Sequence, residues 1–491
     1  AASDVYKRQA DGSDGEVVIM VVGSVSRGCQ VVVVGAGPGG YVAAIRLGQL
    51  GKDVILVEKS PTLGGVCLNV GCIPSKAMIH ASDLAHEVGR AENMGISVDG
   101  LSVDLPKMVE WKDGIVDRLT SGVEFLCKQN GVEVVHGSAE FLSDRTLVVS
   151  SDDERVEIEF EQAVIATGSR PMELDGFAID GEKVIGSSEA LSLQKVPEKL
   201  VIIGAGYIGL ELGTVYRKLG AEVTIVEFLP AIVPDRDSEV AKALARQLKK
   251  LKVKLLLNHR AESFEAGEPS TVVARGPKDE EVRLETDVVM MTVGRVPNTE
   301  ALGLEAAGVT TDEKGFITVN DRMQTSAAGI YAIGDVVGGA MLAHKAYQEA
   351  KVAAEVIVGE PAAFDSIVPA VMYTDPEVAI AGLGEEAAKE QGHNVVTGTF
   401  QFKASGRAMS LDSTDGFIKA IADAETKQLL GIVAVGRGVS ELMGEATLAL
   451  EMGAFLEDVA LTIHPHPSMS EALQEAVEAA LGQAVHMVNK N

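Results

Sequence analysis

Residues 31–58 and 201–227 repeat one pattern at a constant offset. Each is an apolar strand, a G-x-G-x-x-G turn, an apolar-periodic helix, and a second strand ending in an acid. The copies read VVVVGAGPGGYVAAIRLGQLGKDVILVE and VIIGAGYIGLELGTVYRKLGAEVTIVE. Gly35 matches Gly204, Gly51 matches Gly220 and Glu58 matches Glu227. Such a unit belongs in a parallel sheet covered by helices, so the chain is expected to be α/β with two Rossmann-like dinucleotide-binding domains. Gly35 and Gly204 permit the tight turn, Gly37 and Gly206 let backbone approach a pyrophosphate, and Gly40 and Gly209 let helix pack on strand. Pro38, Gly39, Tyr207 and Ile208 complete the two loops, and each helix N-terminus offers N–H donors to phosphate. Glu58 and Glu227 can accept hydrogen bonds from ribose hydroxyls. Glu227 would repel a 2′-phosphate, and residues 228–235 hold no Arg or Lys to receive one. The second site therefore favours NAD over NADP.

Only four cysteines occur in 491 residues, which excludes a disulfide scaffold, yet two of them stand close together in GGVCLNVGCIPSK (64–76). Metal binding is disfavoured, because Cys29 and Cys127 have no close cysteine partner and zinc takes about four ligands. On an ideal helix Cys67 and Cys72 would be roughly 8.7 Å apart, too far for a disulfide, whose Cα atoms stand ~4.4–6.8 Å apart. The segment is expected to be irregular over 67–72 and regular beyond, with Gly64, Gly65, Gly71 and Pro74 permitting the distortion. Lys76, one turn after Cys72, and the helix N-terminus both favour thiolate. A dithiol handles two electrons, nicotinamide handles a hydride, and a flavin accepts either. Two dinucleotide sites and one cysteine pair thus suggest a relay from dithiol to FAD to NAD.

Such a relay needs a base for the thiol protons. IHPHPSMSEAL (463–473) offers His464 and His466, held by Pro465 and Pro467 ahead of a helix that Ser468 is expected to cap. The residues do not rank the two histidines. Glu471 has two readings: it orients a catalytic histidine, or it completes a capping box with Ser468.

Other stretches mark boundaries. AVIATGSRP (163–171), MMTVGRVPN (290–298) and IYAIGDV (330–336) are strands ending in glycine turns, and Asp335 is placed to bind a hydroxyl chain. A helix over 341–359 follows. Strands at 377–382, 395–401, 415–422 and 429–435, with helices at 384–391, 438–453 and 468–482, form a separate α+β domain. Residues 1–28 read as an extension, disordered or artefactual, with Met20 the expected native start. Acidic residues outnumber basic ones 71 to 43 for a net charge of −28, and aromatics are 4%, which argues against nucleic-acid partners and anionic membranes. No apolar run approaches the ~20 residues of a membrane helix.

With ATGSRP, TVGRVPN, YAIGDV, MLAHKA, YTDPEVA (373–379), FKASGRA (402–408), GFIKAIADAETKQLLGI (416–432) and HPHPSMSE, the chain from about residue 29 onward resembles the dihydrolipoamide dehydrogenases, a branch of the pyridine nucleotide-disulfide oxidoreductases. The resemblance implies an FAD-binding domain in two parts (29–173 and 295–364), an NAD-binding domain (174–294) and a dimerisation domain (365–491). It implies that Cys67 exchanges with the lipoyl sulfur, that Cys72 faces the flavin, and that the partner subunit supplies His466 as base, oriented by Glu471. FAD would be held by the 35–40 loop, Glu58, Lys59, Gly65, Lys76, Thr167, Gly168, Asp335 and Ala343. NAD would be held by the 204–209 loop, Glu227 and Gly294. Implied partners are a second copy in a homodimer and the lipoyl domains of 2-oxo acid dehydrogenase acyltransferases, or the lipoyl carrier of glycine cleavage; the implied compartment is the cytoplasm. Ser468 stands where Thr is common and Pro465 where Ala is frequent.

Overall fold

The computed structural model describes residues 25–152, 154–234 and 237–489. Residues 1–24 of the expected extension lie outside them. Val25–Gly28, assigned to that extension from sequence, instead begin the first strand, Val25–Val34, pairing in parallel with Val156–Glu159. The partner strand is distant in the chain, so nothing local signals the pairing.

Five parallel strands form the heart of the first sheet, in the order Val132–His136, Val54–Glu58, Val25–Val34, Arg155–Ile165 and Ile330–Ala332. Central strands are covered on both faces, hence the unbroken apolar runs: Val31–Val33 are fully buried, and so is every residue of 54–58. An antiparallel hairpin, Ser138–Phe141 with Thr146–Ser150, occupies the other part of the Arg155–Ile165 edge. The last parallel strand arrives only after the chain has built a second sheet.

That second sheet is also parallel, in the order Lys254–Leu256, Glu222–Val226, Lys199–Ile203, Val288–Met291 and Val184–Ile185. An antiparallel sheet of Arg260–Glu265, Ser270–Arg275 and Glu281–Thr286 packs on it, unanticipated because charged residues crowd its strands. The chain crosses between the two units through a short ribbon, Ser169–Pro171 against Arg295–Pro297.

The third unit is an antiparallel sheet in the order Ala370–Met372, Val378–Gly382, Leu429–Val435, Phe417–Asp423 and Val395–Gln401. Helices Val439–Glu451 and Glu471–Leu481 cover one face. The other face joins a continuous core with the second sheet and with helices Cys72–Val88 and Leu105–Gln129, through Met78, Val109, Ile202, Val378, Phe417 and Val433. Met78 alone, 1% exposed, contributes on the order of 1.5–3 kcal/mol by leaving water. The cysteine-bearing helix is thus wedged among all three units.

Candidate active site: two dinucleotide cradles and a cysteine pair

At both fingerprint turns the terminal acid closes the loop in the same way. Glu58 accepts from the backbone N–H of Ala36 at 2.7 Å and of Ser60 at 2.8 Å. Glu227 accepts from Ala205 and Leu229, each at 2.7 Å. Each carboxylate oxygen keeps a lone pair for a ribose hydroxyl.

The glycines divide into two kinds. Gly35 and Gly204 have φ of +97° and +102°, and a Cβ there would stand 2.5 Å from the Ala166 carbonyl oxygen and 2.6 Å from that of Thr292. A Cβ on Gly40 or Gly209 would approach the carbonyl oxygen of Gly35 or Gly204 to 1.7 and 2.5 Å. The middle glycines differ: nothing lies within 4 Å of a Cβ on Gly206, and on Gly37 only the Gly65 Cα, at 4.0 Å. Outer glycines serve the fold, whereas the middle ones leave room in front of helices Pro38–Gln49 and Tyr207–Lys218, where a pyrophosphate would sit. The residues fit a dinucleotide at both turns.

A cleft of about 520 Å³ opens before the first turn. Gly35, Gly37, Pro38, Gly39, Glu58, Lys59 and Gly65 line one side, and Thr167, Gly168, Asp335 and Ala343 another. Cys67, Cys72 and Lys76 line it too, with Tyr207 and Ile208 from the second unit. Gly40 lies beneath the first turn. Gly204, Gly206, Gly209, Glu227 and Gly294 are not brought into this cleft; they belong to the second turn and its surroundings.

Two residues inside quoted motifs, Ser169 and Arg295, were not singled out from sequence yet hold Asp335. The Ser169 hydroxyl donates to Asp335 at 2.5 Å, and Arg295 Nε donates to Ser169 Oγ at 2.7 Å. Behind them the Gly334 N–H donates to Glu349 at 2.8 Å, and Glu349 pairs with Lys345, both buried.

The cysteine segment is two helices, Gly65–Val70 and Cys72–Val88, broken at Gly71, whose φ and ψ are −139° and −113°. Cys67 lies inside the short helix and Cys72 at the first position of the long one. Both are free thiols in this structure. Cys67 is buried, while Cys72 is exposed and opens onto the cleft. A hydrogen bond from the Cys67 thiol holds Cys72 down to about 7, against burial and with help from Lys76 and its own backbone N–H. The same bond, then burial, pushes the Cys67 thiol far up. Of the two, Cys72 is thus the more readily ionised.

Lys76 is fixed by a residue that the sequence reading missed. Its Nζ donates to Glu211 at 2.9 Å and lies 4.7 Å over the Tyr373 ring, while the other Glu211 oxygen accepts from the Tyr373 N–H at 2.8 Å. Glu211 is 4% exposed and is the one acid of helix Tyr207–Lys218; that lone acid was the available signal.

Geometry ranks the histidines. His464 is buried and both ring nitrogens are engaged, Nδ1 with the Thr462 carbonyl at 2.9 Å and Nε2 with Glu445 at 2.7 Å. His466 is exposed, with Nδ1 bonded to Glu471 at 2.8 Å and Nε2 free to meet a substrate. Glu471 makes a bond from each of the two readings, since its second oxygen accepts from the Ser468 N–H at 2.7 Å, but the capping box expected with Ser468 does not form. Ser468 itself does not cap: the helix is Glu471–Leu481 with Ser470 at the N-cap, and the Ser468 hydroxyl bonds that of Ser470. Neither His466 nor Glu471 lines the cleft of their own chain. They sit among exposed apolar side chains of the third unit, Leu461, Ile463 and Val485. Among the described residues no helix is long and apolar enough to cross a membrane, and no three His, Cys, Asp or Glu side chains gather as a metal cage.

A family model described as pyridine nucleotide-disulphide oxidoreductase matches residues 29–350, and one for the dimerisation domain of that family matches 368–477. The chain is 50% identical over 476 residues to a dihydrolipoyl dehydrogenase of Halobacterium salinarum, covering 96% of this chain and 100% of the relative. It is 48% identical over 465 residues to one from Thermus scotoductus, covering 94% and 99%. Among solved structures, LpdA of Mycobacterium tuberculosis superposes with a TM-score of 0.86 at 26% identity, covering 92% of this chain and 99% of that one. The Cu(II) complex of the HOCl-induced flavoprotein disulfide reductase RclA of Escherichia coli does so with 0.83 at 28%, covering 92% and 99%.

Proposed function

The chain belongs to the pyridine nucleotide-disulphide oxidoreductase family, and from that membership we propose that it is a dihydrolipoyl dehydrogenase whose redox pair is Cys67 and Cys72. The relatives that support this reading are 45–50% identical over nearly the whole chain. The observation that carries it in this molecule is geometric: Cys67 and Cys72, on two helices broken at Gly71, stand with Lys76 in the wall of a cleft fronted by a dinucleotide cradle.

In the oxidised pair, one thiolate of a dihydrolipoyl group attacks Cys67 Sγ; the Cys67–Cys72 bond breaks and Cys72 leaves as thiolate. His466 takes the proton of the second lipoyl thiol, which attacks its neighbouring lipoyl sulfur. The lipoyl–Cys67 bond breaks, a cyclic lipoyl disulfide forms and Cys67 leaves as a thiolate that takes the proton from His466, so two electrons now reside on the cysteine pair. Lys76, Cys67 and the backbone stabilise the Cys72 thiolate. FAD, when bound, supplies a two-electron acceptor for this dithiol and a hydride donor for NAD.

FAD is held in segments 29–173 and 295–364 by Gly35, Gly37, Pro38, Gly39, Gly40, Glu58, Lys59, Gly65, Lys76, Thr167, Gly168, Asp335 and Ala343. NAD is held in 174–294 by Gly204, Gly206, Tyr207, Ile208, Gly209, Glu227 and Gly294. The matched dimerisation domain supports a homodimer; the 365–491 unit delivers His466 and Glu471 to Cys67 of the partner subunit, in keeping with their absence from the cleft of their own chain. The lipoyl groups are carried by the lipoyl domains of 2-oxo acid dehydrogenase complexes or of glycine cleavage, and the compartment is cytoplasmic. Turnover of dihydrolipoamide with NAD tests this: wild-type protein forms NADH and Cys67→Ser does not. A Cys67→Ser protein with undiminished turnover removes the proposed pair from the reaction.

A further inference from the structure

Helices Cys72–Val88 and Tyr207–Lys218 are tied by two charged rungs, each closed by the same short segment of the third unit. The first rung is Lys76 to Glu211, with Glu211 also accepting from the Tyr373 N–H. The second lies seven residues further along both helices: Lys218 Nζ bonds Asp83 at 2.6 Å and Asp375 at 2.7 Å. The Lys218 side chain is 4% exposed, and Gln247 also donates to Asp375, at 3.3 Å. His86 faces this rung, its buried Nε2 without a partner among the described residues.

Polarity is reversed between the rungs. The lysine comes from the cysteine helix in the first and from the fingerprint helix in the second. Sliding one helix along the other by a rung would bring like charges together, so the pair of rungs admits one register. Removing Lys218 would leave the partly exposed carboxylates of Asp83 and Asp375 facing each other with no cation between them, which favours moving the helix or the 373–376 segment apart. We propose that Lys218, through Asp83 and Asp375, is a positioning residue that sets the register of the cysteine helix and thereby holds the Lys76 ammonium where it stabilises the Cys72 thiolate. Lys218 acts at a distance: the groups that face Cys72 are Cys67, Lys76, Glu211, Tyr207 and Tyr347, from four different helices.

The inference rests on Cys72 being the thiolate of the redox pair, and the test separates the two. Reduced holoenzyme is alkylated with iodoacetamide across pH and the modified cysteines are identified by mass spectrometry. In wild type the Cys72 midpoint should lie near neutrality; a midpoint well above 8 would instead fail the site reading itself. Asp83→Asn is the deciding variant. Loss of a negative charge acting directly would lower the Cys72 midpoint, whereas loss of register raises it. A rise of about half a pH unit, seen as roughly twofold slower alkylation at pH 7, is expected. Lys218→Arg, which keeps both partners, should stay near wild type, and Lys218→Met should shift at least as far as Asp83→Asn. In a Lys76→Met background Asp83→Asn should have no further effect. An unchanged or lowered midpoint in Asp83→Asn, or a shift that persists without Lys76, overturns the proposal, even if the variants melt at lower temperature.

Discussion

Glu471 reaches two donors at once, His466 Nδ1 at 2.8 Å and the backbone N–H of Ser468 at 2.7 Å. One side chain thus fixes the ring and the turn that carries it. Burial works against its charge, but the Ser468 and His466 bonds outweigh it and hold the carboxyl below its ordinary 4.5.

Replacing Glu471 with Ala should therefore have two separable effects. Lipoamide kcat/KM falls by about 10²–10⁴, the usual worth of a positioned acid–base group. Stability falls by about 1 kcal/mol for the lost hydrogen bond to the Ser468 N–H. Because the folded pKa is depressed, this stabilisation is full above the unfolded value and is lost as pH falls through the folded one. The gap in Tm between wild type and Glu471→Ala should close below about pH 4.

Cys67 is the largest influence holding the Cys72 thiol down, so removing Cys67 should disturb Cys72. In Cys67→Ala the hydrogen bond that does most to hold Cys72 near 7 is gone, and its alkylation midpoint should climb toward the ordinary 9.0. A midpoint that stays near 7 would mean that Lys76 and the backbone N–H suffice.

Much of the second cradle was legible before any coordinates, because glycine spacing encodes steric demands that are local. The two kinds of glycine make a sharper prediction. Gly209→Ala drives a Cβ to 2.5 Å from the Gly204 carbonyl oxygen and should destabilise by about 1–3 kcal/mol through overpacking. Gly206→Ala meets nothing, so Tm should hold while the KM for NAD rises. Thermal melts and NAD kinetics on both variants check the contrast.

What sequence could not supply was long-range. Val25–Gly28 become a strand only through Arg155–Ile165. Glu211 and Lys218 acquire meaning only when the fingerprint helix meets the cysteine helix and the Tyr373–Asp375 segment. His464 and His466 look alike in the chain, and only Glu445, from another helix, separates them. An interruption was expected over 67–72, but 65–70 is helical and only Gly71 breaks the path, because its backbone alone there is free of a side chain.

Subunit sharing has its own signature. Neither Cys67→Ser nor His466→Gln should turn over dihydrolipoamide alone. Mixed and allowed to exchange subunits, half the dimers hold one intact site each, restoring about a quarter of the wild-type rate. If both residues served one chain, mixing would restore nothing.

The most direct test of the central claim, that electrons pass from a lipoyl dithiol through Cys67 and Cys72 to a bound flavin and then to NAD, is anaerobic titration of the purified yellow protein with dihydrolipoamide, followed by NAD. The account predicts that wild type forms NADH stoichiometrically, and that Cys67→Ser forms none from dihydrolipoamide although NADH still bleaches its flavin. Stoichiometric NADH from the Cys67→Ser protein, or a wild-type protein that carries no flavin, would contradict it.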